Sequence, residues 1–144
     1  MTRLFHLSIA CVGGAYLREP FGFVVALPVE TMLVEVADLI LRTLEFDDDH
    51  MSDFFLANGP RGAKSPLLAR CDHEDASDED ASVWQLPLSA VFPLAKHKKL
   101  YYFFDYGDSW KFQITKKGRE ASADARLTYP LIVEQHGVKP LQYG

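Results

Sequence analysis

Alternation of apolar and polar residues near the start of the chain predicts two β-strands. In the first strand, over residues 3–12, every second side chain is apolar: Phe5, Leu7, Ile9 and Cys11. The second, over residues 15–27, alternates in the same way toward its end: Phe23, Val25 and Leu27. Gly13 and Gly14 lie between the strands and favour a hairpin. Pro20 is expected to break or bulge the second strand near its start, because proline donates no ladder hydrogen bond.

A change from alternation to helical spacing predicts one long helix over residues 31–44. Its apolar residues fall on one stripe: Leu33, Val36, Ala37, Ile40 and Leu44. Leu39 and Leu41 widen this stripe, so the helix is expected to be well buried against a sheet. Thr31 is the predicted N-cap.

The remaining segments complete an α+β pattern. They are, in chain order, a polar turn at 45–53, a strand at 54–56, a turn at 58–62, a loop at 72–82, a short helix at 87–94, an aromatic hairpin at about 100–117 and an apolar run at 129–133. We expect a single domain over residues 1–144. It is a mostly antiparallel sheet with the main helix, at about 31–44, packed on it.

The aromatic hairpin carries one charged residue where the pattern predicts the core. If Gly107 and Asp108 are the central residues of a two-residue turn, Phe103 lies opposite Phe112. The predicted core face then holds these side chains: Tyr101, Phe103, Asp105, Trp110, Phe112 and Ile114. A carboxylate on such a face must be hydrogen-bonded or protonated.

Two interpretations of Asp105 remain open. In the first, its carboxylate accepts hydrogen bonds from the backbone amides of Gly107 and Asp108, as an Asx-type turn does. In the second, Asp105 and Asp108 line a small pocket beside Trp110, and His50 joins them from the turn that follows the helix. Carboxylates and an imidazole in a sheltered place can bind a metal ion or move a proton.

Charge is unevenly distributed along the chain. The 144 residues have a formal net charge of −5, and six of the 20 acids lie in one predicted loop: Asp72, Glu74, Asp75, Asp78, Glu79 and Asp80. A hydrophobic content of 48% is typical of a globular protein. No stretch approaches the ~18 apolar residues of a membrane span, so no membrane partner is expected. The two cysteines favour a reducing, cytoplasmic setting.

Residues 96–119 are basic and aromatic, and this combination supports a nucleic-acid interpretation. Lysines would contact phosphates and exposed aromatic rings would stack on bases. The candidate residues are Lys98, Lys99, Tyr102, Phe104, Lys111 and Lys116. The acidity of the whole chain opposes this hypothesis.

A metal-dependent enzyme is another hypothesis. Its candidate ligands are His50, Asp49 and Asp105, and an active site would place His50, Asp105 and Asp108 roughly 4–5 Å apart. His73 with its acidic neighbours could bind metal weakly. The sequence shows no cysteine pairing typical of catalysis, no phosphate-binding glycine loop and no zinc spacing.

The hairpin also carries a family resemblance. Tyr101 to Trp110, with its Asp-Tyr-Gly-Asp-Ser-Trp core, resembles the signature of the Ri-plasmid ORF-three-like protein family. The helix and acidic turn of residues 31–54 and the closing Pro140-Leu141-Gln142-Tyr143 match that family in order. Tyr16-Leu17-Arg18 departs from its usual Ile-Trp-Arg. The resemblance implies an α+β domain associated with plasmids and mobile elements, and little about chemistry.

The leading hypothesis is a non-enzymatic binding or interaction domain. Its candidate ligand-binding residues are His50, Asp105, Asp108 and Trp110, and no catalytic residue or cofactor is assigned. A protein or a nucleic acid is the expected partner. A recombinase is not inferred, because that chemistry needs a nucleophile among clustered arginines, and the seven arginines of this chain form no evident cluster.

Overall fold

The computed structural model describes residues 2–66 and 83–144, and they form an α+β fold around a seven-stranded antiparallel sheet. The strands are β1 (Arg3–Gly13), β2 (Phe21–Pro28), β3 (Ser52–Ala57), β4 (Ser65–Pro66), β5 (Lys99–Phe104), β6 (Trp110–Ser122) and β7 (Leu131–Gly137). The helices are α1 (Leu33–Leu44) and α2 (Leu88–Val91). The strand order is β4-β3-β5-β6-β1-β2-β7. The predicted fold class is confirmed, whereas the acidic loop 72–80 and His73 lie outside the described residues.

Burial follows the predicted stripe of α1. Leu33, Val36, Ala37, Ile40 and Leu44 are buried, as are Leu39 and Leu41. The expected Thr31 cap is wrong: the N-cap residue is Met32, and no side chain caps the helix. Backbone groups take over this role, because the Leu33 amide donates to the Leu86 carbonyl and the Leu88 amide donates to the Thr31 carbonyl. The start of α1 is therefore fixed by tertiary contacts that the local sequence does not reveal.

The connection between β1 and β2 is longer than the predicted Gly-Gly hairpin. The two strands pair as far as Cys11 opposite Phe21, and residues 14–20 leave the ladder. The Ala15 amide donates to the Asp108 carbonyl, which ties this connection to the β5–β6 loop. Gly14 has φ 154°, and a Cβ atom built on it would lie 2.2 Å from Cε3 of Trp110. The glycine thus allows the backbone to lie against the indole ring.

The register of the aromatic hairpin differs by one residue from the prediction. Phe104 pairs with Trp110, and Phe103 pairs with Lys111, so Asp105–Ser109 form a five-residue loop. Asp105 and Ser109, the two ends of this loop, take the left-handed conformation with φ of 62° and 56°. The Ser109 amide closes the loop by donating to the Asp105 carbonyl at 2.6 Å.

This register changes which aromatic side chains face the helix. The core face of the hairpin holds Leu100, Tyr102, Phe104, Trp110, Phe112 and Ile114. Tyr101 and Phe103, predicted on that face, instead lie on the opposite side in a small cluster with Phe55. Asp105 is buried, as predicted, but in the loop rather than on a strand.

Candidate functional site

The candidate site lies at the end of the sheet where three segments meet: the turn after α1, the β5–β6 loop and the C-terminal residues 138–144. The Asp105 amide donates to the Met51 carbonyl and joins the first two segments. The Gln142 side chain joins the third, because its amide oxygen accepts from the Asp47 amide at 2.7 Å and its amide nitrogen donates to the Asp47 carbonyl at 3.0 Å. These hydrogen bonds join segments that are distant in the sequence and that do not pair as β-strands with one another.

The Asp105 carboxylate is held by its own loop. Its Oδ1 accepts from the Gly107 amide at 3.1 Å and from the Asp108 amide at 3.2 Å. The first interpretation of Asp105, an Asx-type turn, is confirmed by these bonds. Only 6% of the residue is exposed, and its Oδ2 lies 3.3 Å from Nε2 of His50. One oxygen therefore stabilises the loop while the other contacts the imidazole.

His50 is the centre of a polar group that we call the histidine cluster: Asp49, His50, Asp105 and Tyr143. Nε2 of His50 lies 2.9 Å from the Tyr143 hydroxyl and 3.3 Å from Oδ1 of Asp49. The Tyr143 hydroxyl donates to Asp49, with O···O distances of 3.1 and 3.3 Å. The imidazole also meets the Phe104 ring edge to face at 5.8 Å between ring centroids. The predicted proximity of His50 and Asp105 is therefore present in the structure.

The pKa of Tyr143 is raised above its usual value of 10.0. Burial is the largest cause, followed by the hydrogen bond with Asp49 and the negative charges of Asp49, Asp105 and Asp47. A raised pKa keeps the phenol protonated, so its O–H remains a donor to the carboxylate. The histidine cluster thus places two carboxylates, which can accept hydrogen bonds, around one phenol and one imidazole.

The partners of the imidazole in the histidine cluster contact one of its two ring nitrogens. A relay through histidine uses both ring nitrogens, one toward the reacting group and the other toward an orienting partner. In the histidine cluster, Asp49, Asp105 and Tyr143 all contact the same nitrogen, Nε2. Among residues 2–66 and 83–144, no group of three or more His, Cys, Asp or Glu side chains is placed to hold a metal ion.

Asp108 and Trp110, the other predicted ligand-binding residues, contribute in different ways. The Asp108 backbone bonds to Asp105 and to Ala15, and within the described chain its side chain makes no hydrogen bond or ion pair. Trp110 is completely buried and packs against Phe46 with ring centroids 4.9 Å apart. Its Nε1 has no hydrogen-bond partner among the described residues. The indole packs in the core next to the site and does not line its surface.

Four large apolar side chains are exposed on the three segments that meet at the site. We call them the tip surface: Met51, Tyr106, Leu141 and Tyr143. Met51 is 71% exposed and Leu141 is 67% exposed. Each of the four lies in one of the three segments that meet at the site. The sequence does not reveal this surface, because apolar residues in a turn and a tail show no periodicity.

The nucleic-acid candidates are separated by the observed register. Tyr102 and Phe104 are buried in the core, so the expectation that they stack on bases from an exposed face is wrong. Side chains alternate along β5, and a shift of one residue moves every ring to the opposite face. Lys116 donates from Nζ to the Gly118 carbonyl.

Lys111 lies on the outer face of the sheet, where it contacts protein groups. Its Nζ donates to the Pro60 carbonyl at 2.6 Å and lies 5.8 Å from the centroid of the Phe103 ring. Lys64 lies over the same ring at 4.5 Å. Burial, and then the charge of Lys64, lower the pKa of Lys111. The face of the Phe103 ring is thus covered by lysines, which leaves less of its surface for a base to stack on.

Comparison with known proteins supports the fold and the family. A family model described as "Plasmid pRiA4b ORF-3-like protein" matches residues 24–142. The crystal structure of a protein of unknown function from Methanosarcina mazei Go1 is similar with a TM-score of 0.68 and 18% identity, over 94% of this chain and 70% of that one. No curated protein matches the chain. In the described ranges, no helix has the length and apolar character needed to cross a membrane.

Proposed function

The chain belongs to the plasmid pRiA4b ORF-3-like protein family, and from that premise we propose that it is a non-enzymatic domain that binds a partner protein through the tip surface. The observation that carries this proposal is that each of the three segments that meet at this end of the molecule exposes at least one large apolar side chain. Exposed apolar patches on soluble proteins often mark interaction sites.

The tip surface is also held in place before any partner binds. Tyr143 is fixed by its hydrogen bonds to Asp49 and His50. The backbone of Met51 is fixed by the bond from the Asp105 amide. A surface that is ordered in the free protein loses less conformational entropy on binding, and this favours affinity.

The polar groups beside the tip surface are engaged in contacts that hold its three segments in place. Oδ1 of Asp105 already accepts two backbone amides, and Nε2 of His50 already faces a phenol and two carboxylates. These groups stabilise the three segments that present the apolar side chains.

Site-specific photo-cross-linking in producing cells tests the proposal. The photo-reactive residue p-benzoylphenylalanine replaces Met51 or Leu141 in two variants, and it replaces Val133, an exposed residue on β7, in a matched control. We expect a discrete adduct, identified by mass spectrometry, from both tip-surface variants and none from the Val133 control. Equal adducts from all three positions, or none from Met51 and Leu141, would contradict the proposal.

A nucleic-acid function remains the alternative for the basic residues of the hairpin. Binding of fluorescein-labelled single-stranded DNA is measured by anisotropy at low and at high salt. The protein-binding proposal predicts no salt-sensitive binding. Binding at low salt that is lost in Lys111→Glu and kept in a Glu35→Lys control would favour the nucleic-acid function instead.

A metal-dependent function is tested without assuming a substrate. Elemental analysis of the purified protein is compared with that of His50→Ala. We expect no stoichiometric metal in either sample, because the ring nitrogen that faces the carboxylates already contacts Tyr143. A stoichiometric metal present in the parent and absent from the variant would favour an enzyme and contradict the proposed function.

A further inference from the structure

A pocket opens beside the tip surface, between the loop that follows β1 and the C-terminal segment. Its volume is about 230 Å³, and its apolar walls come from Tyr16, Val138 and Leu141. Val138 and Leu141 are exposed, and Leu141 belongs to the tip surface as well. The pocket is therefore continuous with the surface proposed to bind a partner.

The walls of the pocket are set by packing on both sides. Tyr16 packs against the main hydrophobic core, and Gly144 lies so close to its ring that a Cβ atom there would be 3.2 Å from Cδ1. The neighbouring Gln142 side chain holds the C-terminal segment to the Asp47 backbone. The space is thus formed by the folded chain itself and does not need a ligand to open it.

The size of the pocket limits what it can hold. Sites for drug-sized ligands and cofactors usually enclose about 300–1,000 Å³. A space of about 230 Å³ falls below that range. It is suited to one large apolar side chain that projects from a partner, while the rest of the partner lies over the surrounding surface.

The charges at the pocket favour an acidic partner. Among the side chains that line it, two are cationic, Arg18 and Lys139, and one is anionic, Glu19. Neither cation makes an ion pair or a side-chain hydrogen bond with another residue in the described parts of the chain. Carboxylates of a partner would therefore meet two cations that form no ion pair within the described residues, and this is the electrostatic complementarity typical of specific interfaces.

We infer that this pocket binds an extended acidic peptide segment of the partner, in which one apolar side chain is flanked by Asp or Glu residues. The inference rests on the proposed protein-binding function and names the chemistry of the segment. The apolar side chain enters between Tyr16, Val138 and Leu141. The flanking carboxylates lie near Arg18 and Lys139.

Selection from a random peptide library displayed on phage, against the full chain, tests this inference. We expect the enriched peptides to share an apolar residue flanked by acids. A fluorescein-labelled copy of the most enriched peptide is then measured by anisotropy. Its Kd should rise about tenfold in Arg18→Glu and in Lys139→Glu, and it should rise with salt. It should not change in the Lys99→Glu control, which reverses an exposed charge on β5.

Several outcomes would overturn the inference. They are the enrichment of no peptide, enriched peptides without acids, and a Kd unchanged in both charge-reversal variants whose circular dichroism matches that of the parent. A concentration-dependent dimer that Arg18→Glu abolishes would assign the pocket to a second copy of the chain. If any of these occurs while the cross-links at Met51 and Leu141 remain, the pocket inference fails and the protein-binding function stands. If the cross-links are absent as well, both fail.

Discussion

The inner side and the tip of the β5–β6 hairpin differ in the contacts that their polar atoms make. On the inner side, Trp110 is completely buried and its Nε1 has no partner among the described residues. At the tip, His50 and Tyr143 are exposed and make polar contacts with each other and with carboxylates. The inner side is organised by ring packing, and the tip is organised by polar contacts between distant segments.

The boundary between these regions falls at Asp105. This residue is buried like the inner side, yet its two oxygens serve different regions: Oδ1 holds the loop amides and Oδ2 faces His50. A buried acid is therefore insufficient to identify a catalytic site. The atoms that it contacts decide whether it stabilises the fold or is available for chemistry.

The largest effect is expected on the inner side, from Gly14→Ala. The new Cβ atom would lie 2.2 Å from Cε3 of Trp110, and the backbone has φ 154°. Overpacking and backbone strain together should lower the free energy of unfolding by about 3 kcal/mol. Urea denaturation measures this change.

Gly59→Ala is the matched control for that substitution. No atom lies within 4 Å of a Cβ built at Gly59, so its free energy of unfolding should change by about 0.5 kcal/mol or less. Equal losses in the two variants would show that the contact between Gly14 and the indole does not hold the inner side together.

A pair of substitutions at Asp105 separates the two roles of its carboxylate. Asp105→Ala removes the acceptor of the Gly107 and Asp108 amides and should lower the free energy of unfolding by about 2 kcal/mol. Asp105→Asn keeps an oxygen for those amides, and asparagine tolerates the left-handed backbone, so the loss should be under about 1 kcal/mol. If the two variants unfold at the same urea concentration, the contact with His50 rather than the loop amides accounts for the burial.

Alkaline pH should affect the inner side through Tyr102. Burial is the main cause that raises its pKa from 10.0 to about 12. Between these values the unfolded chain releases a proton that the folded protein keeps, so stability falls as the pH rises. The loss should be about 1 kcal/mol near pH 11, and Tyr102→Phe should remove it. Parallel pH profiles of the parent and the variant would place this hydroxyl in water and restore the register predicted from the sequence.

The smallest effect is expected at the tip, from Gln142→Ala. The substitution removes the two hydrogen bonds with the Asp47 backbone, and these backbone groups can then bind water. We expect a loss of about 1 kcal/mol in thermal unfolding and faster hydrogen exchange at the Asp47 amide. Gln135→Ala, at an exposed position on β7, should change neither quantity. Unchanged exchange in Gln142→Ala would show that other contacts hold the C-terminal segment.

Local patterns predicted most of the elements and the buried faces of α1 and β1. The stripe of α1 and the alternation of β1 depend on a period of a few residues, and the sequence displays such a period directly. The hairpin register depends instead on which loop residues are left-handed. The Gly107-Asp108 pair suggested a two-residue turn, but the left-handed residues are Asp105 and Ser109. Such backbone choices are fixed by the closing hydrogen bonds of the loop, and these are not visible in the sequence.

The candidate site was predictable only in part for the same reason. His50 was placed near Asp105 because the turn after α1 was expected to reach the hairpin, and their contact at 3.3 Å agrees with this. Tyr143 was missed as a partner of His50, because 93 positions separate the two residues in the sequence. Gln142 gives no periodic signal either, although its side chain bonds to the Asp47 backbone much as a neighbouring strand would.

The burial of Trp110 has a spectroscopic consequence. Its excited indole has few polar neighbours that can reorient, so its fluorescence lies at shorter wavelength than that of an indole in water. The second tryptophan, Trp84, is only partly buried and packs on Phe54 at the margin of the same core. The emission spectrum therefore combines two probes, and a red shift of its short-wavelength component reports the entry of water beneath the hairpin.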